Sequence, residues 1–317
     1  MPPGCRRRHP LRAENCSPNH HEKPFMSPDL DDRLLLGESL VRYAGETALA
    51  AYRDPDLSIS NKSPGDLVTD ADFAIEKALR ARISDSFPHD GIIGEEFGRE
   101  HASGDYLWLI DPIDGTVNFA RRLGYFCISI ALLKGGRTVA AWIFDPINDE
   151  LFFADPNGEA WLDGKPIACS AIDVMTETVV GLGFSARHEK SLYAALIGQL
   201  ALSGAEHRRL GSGALSLAHV AAGRIEAYLE PHMNPWDAVG GLYIAACAGA
   251  LTNDYLGAGG LKAGATVFAA APGISRQLLA VVPEPFSGTP LHREMRGGVP
   301  ETLRDDRKPH PNVETIQ

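Results

Sequence analysis

The chain has 317 residues, 44% hydrophobic and 22% charged, with a formal net charge of -11. This is globular composition, long enough for one large α/β unit or two closely packed halves, and the acidic excess argues against general nucleic-acid or anionic-membrane binding, which rest on basic surface. No run of about 18 apolar residues suggests a transmembrane helix, and the odd, widely spaced cysteines (Cys5, Cys16, Cys127, Cys169, Cys247) point to a reducing cytoplasm.

Residues 1–28 carry Arg6, Arg7 and Arg8 but lack the apolar core of a secretory signal. They read as a disordered extension, with Met26 as an alternative start. From Asp31 to Tyr52, Leu34, Leu35, Leu40, Val41, Tyr43, Ala44 and Ala48 recur at helical spacing, which predicts an amphipathic helix. The polar, Pro-Gly-bearing stretch from Asn61 to Asp72 predicts a loop or hairpin, with Thr69 or Asp70 capping the helix that follows. Gly91 to Glu96 reads as a short strand ending on two glutamates, and Tyr106 to Ile110 as a buried strand.

That second strand is expected to stop at Asp111, Pro112, Ile113, Asp114, Gly115 and Thr116. Pro112 fixes one backbone angle and Gly115 relaxes another, so Asp111 and Asp114 can turn towards one point while the Ile113 carbonyl faces the same way. Such oxygens suit a hard cation. Thr116 then opens a helical turn whose free N–H groups attract an anion. An ordinary Asp-Pro turn with a capping Thr is the plainer alternative.

Tyr125 to Leu133, Thr138 to Phe144 and Glu150 to Ala154 predict consecutive antiparallel strands, separated by turns at Gly135-Gly136 and at 146–149. After Asp163-Gly164 the pattern changes to α/β alternation. Strands are expected over Thr178–Phe184, His207–Leu210 and Ile225–Leu229, and helices over Lys190–Ser203, Ala214–Ala222 and Ala238–Ala250. Asp237 could simply cap the last of these. Leu251 to Ala271 supplies two short strands around a Gly-rich loop, and Ile274 to Val282 a closing helix. The chain thus divides softly near 170, into an N-terminal α+β half (29–170) carrying most of the candidate ligands and a C-terminal α/β half (171–283). The proline-rich, charged segment 284–317 is expected to be a disordered tail.

Trp108, Asp111, Pro112, Ile113, Asp114, Gly115, Thr116, Asn118 and Phe119 together resemble the first signature of the inositol monophosphatase family, W-x-x-D-P-[IL]-D-G-T-x-N-F. Trp236 and Asp237 match its second, W-D-x-[AC]-[GA]-[GA], with Val239 where a smaller residue is usual. Pro64, Asp66, Leu67, Val68, Thr69 and Asp72 match its K-x-x-P-x-D-L-V-T-x-x-D block, in which Lys62 stands one residue nearer the proline. The similarity runs from about Leu34 to Val282.

The resemblance implies a five-layer α-β-α-β-α sandwich, shared with fructose-1,6-bisphosphatase. It implies a lithium-sensitive, often homodimeric phosphatase that uses two or three Mg²⁺ ions. Glu95, Asp111 and the Ile113 carbonyl would hold the first ion, with Glu96 outside the ligand shell; Asp111 would bridge to a second ion completed by Asp114 and Asp237. Asp72 would act as base through Thr116. Gly115, Thr116, Arg208, Glu230 and Asp237 would contact substrate. Inositol 1-phosphate is the favoured substrate because Thr116, Asn118, Phe119 and Glu230 follow the inositol-type pattern. Histidinol phosphate and fructose 1,6-bisphosphate are the alternatives within the class. A different class, binding to the transcription machinery, is open because some bacterial relatives do so.

Overall fold

The computed structural model describes residues 28–63, 66–100, 103–287, 289–294 and 300–302. The expected N-terminal extension, apart from Pro28, therefore lies outside the described residues. The first part of the chain forms α1 (Pro28–Arg53), β1 (Ile59–Ser63), β2 (Asp66–Thr69), α2 (Asp70–Ser86), β3 (Gly91–Gly94), β4 (Gly98–Glu100), β5 (Tyr106–Asp114), α3 (Thr116–Ala120), β6 (Cys127–Lys134), β7 (Arg137–Asp145), β8 (Glu150–Ala154), β9 (Ala160–Leu162) and β10 (Lys165–Pro166). The second forms β11 (Val179–Leu182), α4 (Lys190–Ser203), β12 (Glu206–Arg208), α5 (Gly213–Ala221), β13 (Ala227–Met233), α6 (Pro235–Cys247), β14 (Leu251–Asn253), α7 (Gly260–Ala263), β15 (Ala265–Ala270), α8 (Pro272–Val281), β16 (Leu291–Glu294) and β17 (Pro300–Thr302).

Strands β10, β9, β8, β7, β6, β5, β3 and β4 lie side by side in that order in one eight-stranded sheet. A seven-stranded sheet follows the order β12, β11, β13, β15, β14, β16, β17, and β1 and β2 pair separately as a hairpin. Both large sheets are covered on two faces, which is why their strands read as near-continuous apolar runs rather than strict alternation. Trp108, Ile110, Ile130 and Trp142 face outward onto Leu40, Ile75 and Leu79 of α1 and α2. Their neighbours Leu109, Ala131 and Ile143 face inward with Leu217 of α5 and Ile244 of α6.

The second sheet repeats the arrangement. Tyr228, Val267 and Ala269 join the central helices, while Leu229 and Phe268 pack outward with Leu196 and Leu200 of α4 and Ile274 and Leu278 of α8. Three apolar clusters thus glue five layers, helix pair, sheet, helix pair, sheet, helix pair, as the resemblance implied. Among the described residues no helix is long and apolar enough to cross a membrane.

Two expectations are corrected. Strand β5 does not stop at Asp111: its pairing with β6 continues to Asp114↔Cys127 after Asp111↔Ser129, so Pro112 and Ile113 form a bulge inside the strand. The segment from residue 284, expected as a disordered tail, is ordered where it is described, and residues 303–317 lie outside the described residues. Phe286 is fully buried, and β16 pairs with β14 through Thr252↔His292 and Asn253↔Leu291, adding an edge to the second sheet. The backbone ladder supplies what the apolar pattern lacked.

Candidate active site

The site grows from the C-terminal end of β5. Parallel pairing of β3 with β5 sets Gly94 opposite Ile110, so Glu95 and Asp111, the next residue on each strand, emerge side by side. The Glu95 N–H donates to the Ile110 carbonyl at 3.2 Å and fixes this register. On the other side of β5, Asp111 is opposite Ser129, whose hydroxyl donates to the Trp236 carbonyl at 3.1 Å. That bond seats the start of α6, and with it Asp237, over Asp111. As a result, oxygens of Glu95, Asp111 and Asp237 all lie within 4.8 Å of one another.

Asp237 is not the cap of α6. Asn234 holds that position, and Asp237 stands in the first turn, where its Oδ2 accepts from Asn234 Nδ2 at 3.4 Å. A carboxylate there is favoured by the helix's positive end. Burial raises the Asp111 carboxyl well above its ordinary range, and the negative charges of Glu95, Asp237 and Asp114 raise it further. Asp237 is raised by burial first and then by Glu95 and Asp114. Like charges gathered in a dry site resist ionising together unless a cation joins them.

Asp114 leaves β5 towards the second half of the chain. Its Oδ2 accepts from the Ser212 hydroxyl and from the Ala214 N–H at 2.7 Å, at the opening of α5. Burial raises its carboxyl too, and these donors pull it back down. It is not one of the three carboxylates of the tight cluster, but its charge reaches both Asp111 and Asp237. The bulge turns the chain at Ile113, whose N–H donates to Asp111 Oδ1 at 2.9 Å. Gly115 follows with φ 97°, and a side chain there would meet the Ser212 Cβ and the Tyr125 carbonyl at 3.1 Å. Only glycine satisfies both demands.

Thr116 opens α3 with its hydroxyl 3.0 Å from the Ile113 carbonyl and 3.5 Å from Asp72 Oδ1. Asp72 is fully buried, and its other oxygen accepts from the Thr69 N–H at 2.9 Å and from the Thr69 hydroxyl. Of the two expected caps Thr69 is therefore the one used, and Asp70 is exposed. Asp72 both closes the capping box and presents an oxygen to Thr116.

Glu230 on β13 accepts from the Tyr228 hydroxyl at 2.7 Å, and burial pushes its carboxyl up to about 8. Asp114 contributes to that rise, and the charge of Arg209 opposes it. Arg208, expected on the substrate, is not brought to the carboxylates. It is exposed on β12 and pairs with Glu206 at 2.8 Å. Arg209, the residue after β12, lies over the Phe184 ring and is the cation whose charge acts on Glu230.

Glu76 was missed. This fully buried carboxylate accepts from the Glu96 N–H at 2.7 Å, the Phe97 N–H at 3.2 Å and Arg80 Nε at 2.8 Å, and so holds the turn that carries Glu95. Its signal in the sequence was an acid on the apolar face of α2 with an arginine four residues on. The cluster's donors are oxygen only, a set that favours Mg²⁺ over Zn²⁺.

Residues 29–284 match the model of the inositol monophosphatase family. The chain is 36% identical over 252 residues to Nus factor SuhB of Salmonella typhimurium, covering 78% of this chain and 94% of that protein. It is 34% identical over 256 residues to an inositol-1-monophosphatase of Mesorhizobium japonicum, covering 79% and 93%. The crystal structure of extragenic suppressor protein suhB from Bartonella henselae superposes with a TM-score of 0.74 at 27% identity, covering 80% and 99%. The chain belongs to the inositol monophosphatase family.

Proposed function

We propose that this member of the inositol monophosphatase family is a Mg²⁺-dependent phosphomonoesterase of small polyol phosphates, with inositol 1-phosphate as the reference substrate. The observation that carries the reading is the convergence of Glu95, Asp111 and Asp237 within 4.8 Å, from three distant parts of the chain. With the Ile113 carbonyl and Asp114 they would hold two magnesium ions, a third being the family's weaker option. When bound, magnesium supplies charge neutralisation at phosphate and makes water a better nucleophile.

The chain's own groups do the rest. The Asp72 carboxylate draws the Thr116 hydroxyl proton, which frees that oxygen to accept a proton from the attacking water. Backbone N–H groups at Gly115 and Thr116, at the opening of α3, would face the phosphate oxygens. Burial holds the Glu230 carboxyl at about 8, so it keeps its proton more readily than an ordinary carboxylate, and a protonated carboxyl can both donate to and accept from a hydroxyl. That suits a polyol better than the cationic amine of histidinol phosphate. Arg209 takes the place of Arg208 as the substrate-side cation. We extend the proposal to two halves meeting near residue 170, a homodimer, lithium inhibition and a cytoplasmic setting.

The test is phosphate release, with and without Mg²⁺, from inositol 1-phosphate, histidinol phosphate, phosphoadenosine phosphate and fructose 1,6-bisphosphate. The reading expects Mg²⁺-dependent turnover of the polyol or sugar phosphates, and no release from any of them contradicts it. A second reading, a transcription-associated role, is favoured by the name Nus factor carried by relatives 36% identical to this chain. Asp111→Asn separates the two: a cellular phenotype that survives the loss of hydrolysis supports the binding role.

A further inference from the structure

A cavity of about 530 Å³ opens beside the carboxylate cluster, between the strand that follows the Glu95 turn and the entry of α6. Arg99, Arg187 and Lys262 border it from three separate segments, and no carboxylate lines it. On a chain of net charge -11 such a basin is not average surface. Among the described residues none of the three cations makes an ion pair. Arg187 instead lies against the His232 imidazole, whose Nε2 meets the Ala263 carbonyl at 2.8 Å.

A further observation concerns the same wall. Asn234, the cap of α6, and Trp236 in its first turn line the cavity, and the cap of this 13-residue helix makes no side-chain hydrogen bond to its N–H groups. Its positive end therefore faces the basin. The cations and the helix N-terminus both favour an anion, and Trp236 immediately precedes Asp237 of the cluster.

We propose that this cavity is a second anion subsite, which seats a substrate phosphate other than the one being hydrolysed, so that polyol or sugar bisphosphates are the preferred substrates. The inference rests on the phosphatase reading above, because the first phosphate must sit at the carboxylate cluster. The volume is within the range of small-molecule sites and accommodates a phosphate with part of its carbon chain.

The experiment compares kcat/KM for fructose 1,6-bisphosphate with kcat/KM for inositol 1-phosphate, in the wild type and in Arg99→Gln/Lys262→Gln, at saturating Mg²⁺. The ratio is expected to fall by about tenfold or more, the effect of losing charge-assisted hydrogen bonds to one phosphate. A ratio that does not change overturns the proposal. If neither substrate is hydrolysed, the phosphatase reading has failed, and calorimetry of fructose 1,6-bisphosphate binding in the same buffer then decides the subsite. Weaker binding by the double variant, about tenfold, supports it; equal binding, or none by either protein, overturns it.

Discussion

The Glu76 carboxylate lies so close to the Gly94 α-carbon that a methyl group on Gly94 would stand 2.1 Å from Oε1. This contact joins the middle of α2 to the last residue of β3, and it fixes the turn from which Glu95 projects. Gly94→Ala must push either the carboxylate or the turn aside. The expected result is a loss of about 1–3 kcal/mol of stability, the usual cost of overpacking, together with a rise in the Mg²⁺ concentration needed for half-maximal activity. Glu76→Gln keeps the shape but breaks the buried pair with Arg80. It is expected to shift the Mg²⁺ requirement in the same direction, and a titration of activity against Mg²⁺ reads both variants.

In the proposed mechanism Thr116 and Asp72 act on the proton and not on the cluster of Glu95, Asp111 and Asp237. Thr116→Val and Asp72→Asn are each expected to lower kcat by about 10²–10⁴, the range for general acid–base groups, with little change in the Mg²⁺ concentration for half-maximal activity. Asp72→Asn also weakens the capping box, so its melting temperature should drop while that of Thr116→Val does not. Equal kcat losses with different melting shifts separate the proton role from the structural one.

The raised carboxyls predict how the metal-free protein responds to pH. Asp111, Asp114, Asp237 and Glu230 all have folded-state values above the ordinary carboxylate range, Glu230 at about 8. For such groups the folded state binds protons more tightly than the unfolded chain, so stability is fullest below the ordinary glutamate value of 4.5 and is lost as pH rises towards 8. In EDTA the melting temperature should therefore fall between about pH 5 and pH 8. Mg²⁺ needs the ionised carboxylates, so its stabilising effect should grow over the same interval. Glu230→Gln should flatten the upper part of the EDTA curve, and thermal melts at a series of pH values measure all three effects.

Local chemistry in the sequence made the β5 end legible. A proline, a glycine and two aspartates within six residues mark a turn, although its true form, a bulge within a longer strand, depends on a partner strand that periodicity does not show. Glu95 and Asp237 were readable as ligands only through family resemblance. What brings them to Asp111 is the register Gly94↔Ile110 and the Ser129 bond to Trp236, both of them long-range. Arg208 and Arg209 look alike in the sequence, and only tertiary contacts tell them apart: Arg208 pairs with Glu206, whereas Arg209 lies over Phe184. Strand β16 was invisible because its stability comes from backbone pairing with β14 and the burial of Leu291, with no apolar run to announce it.

The central claim is that Glu95, Asp111 and Asp237 jointly hold a divalent cation. Crystals soaked in Mn²⁺, which shares magnesium's preference for oxygen donors, answer it directly through the manganese anomalous signal. The account predicts a peak bonded to oxygens of all three carboxylates, lost in Asp111→Asn. An enzyme that hydrolyses its substrate in Mn²⁺ while no peak stands among those three side chains would contradict it.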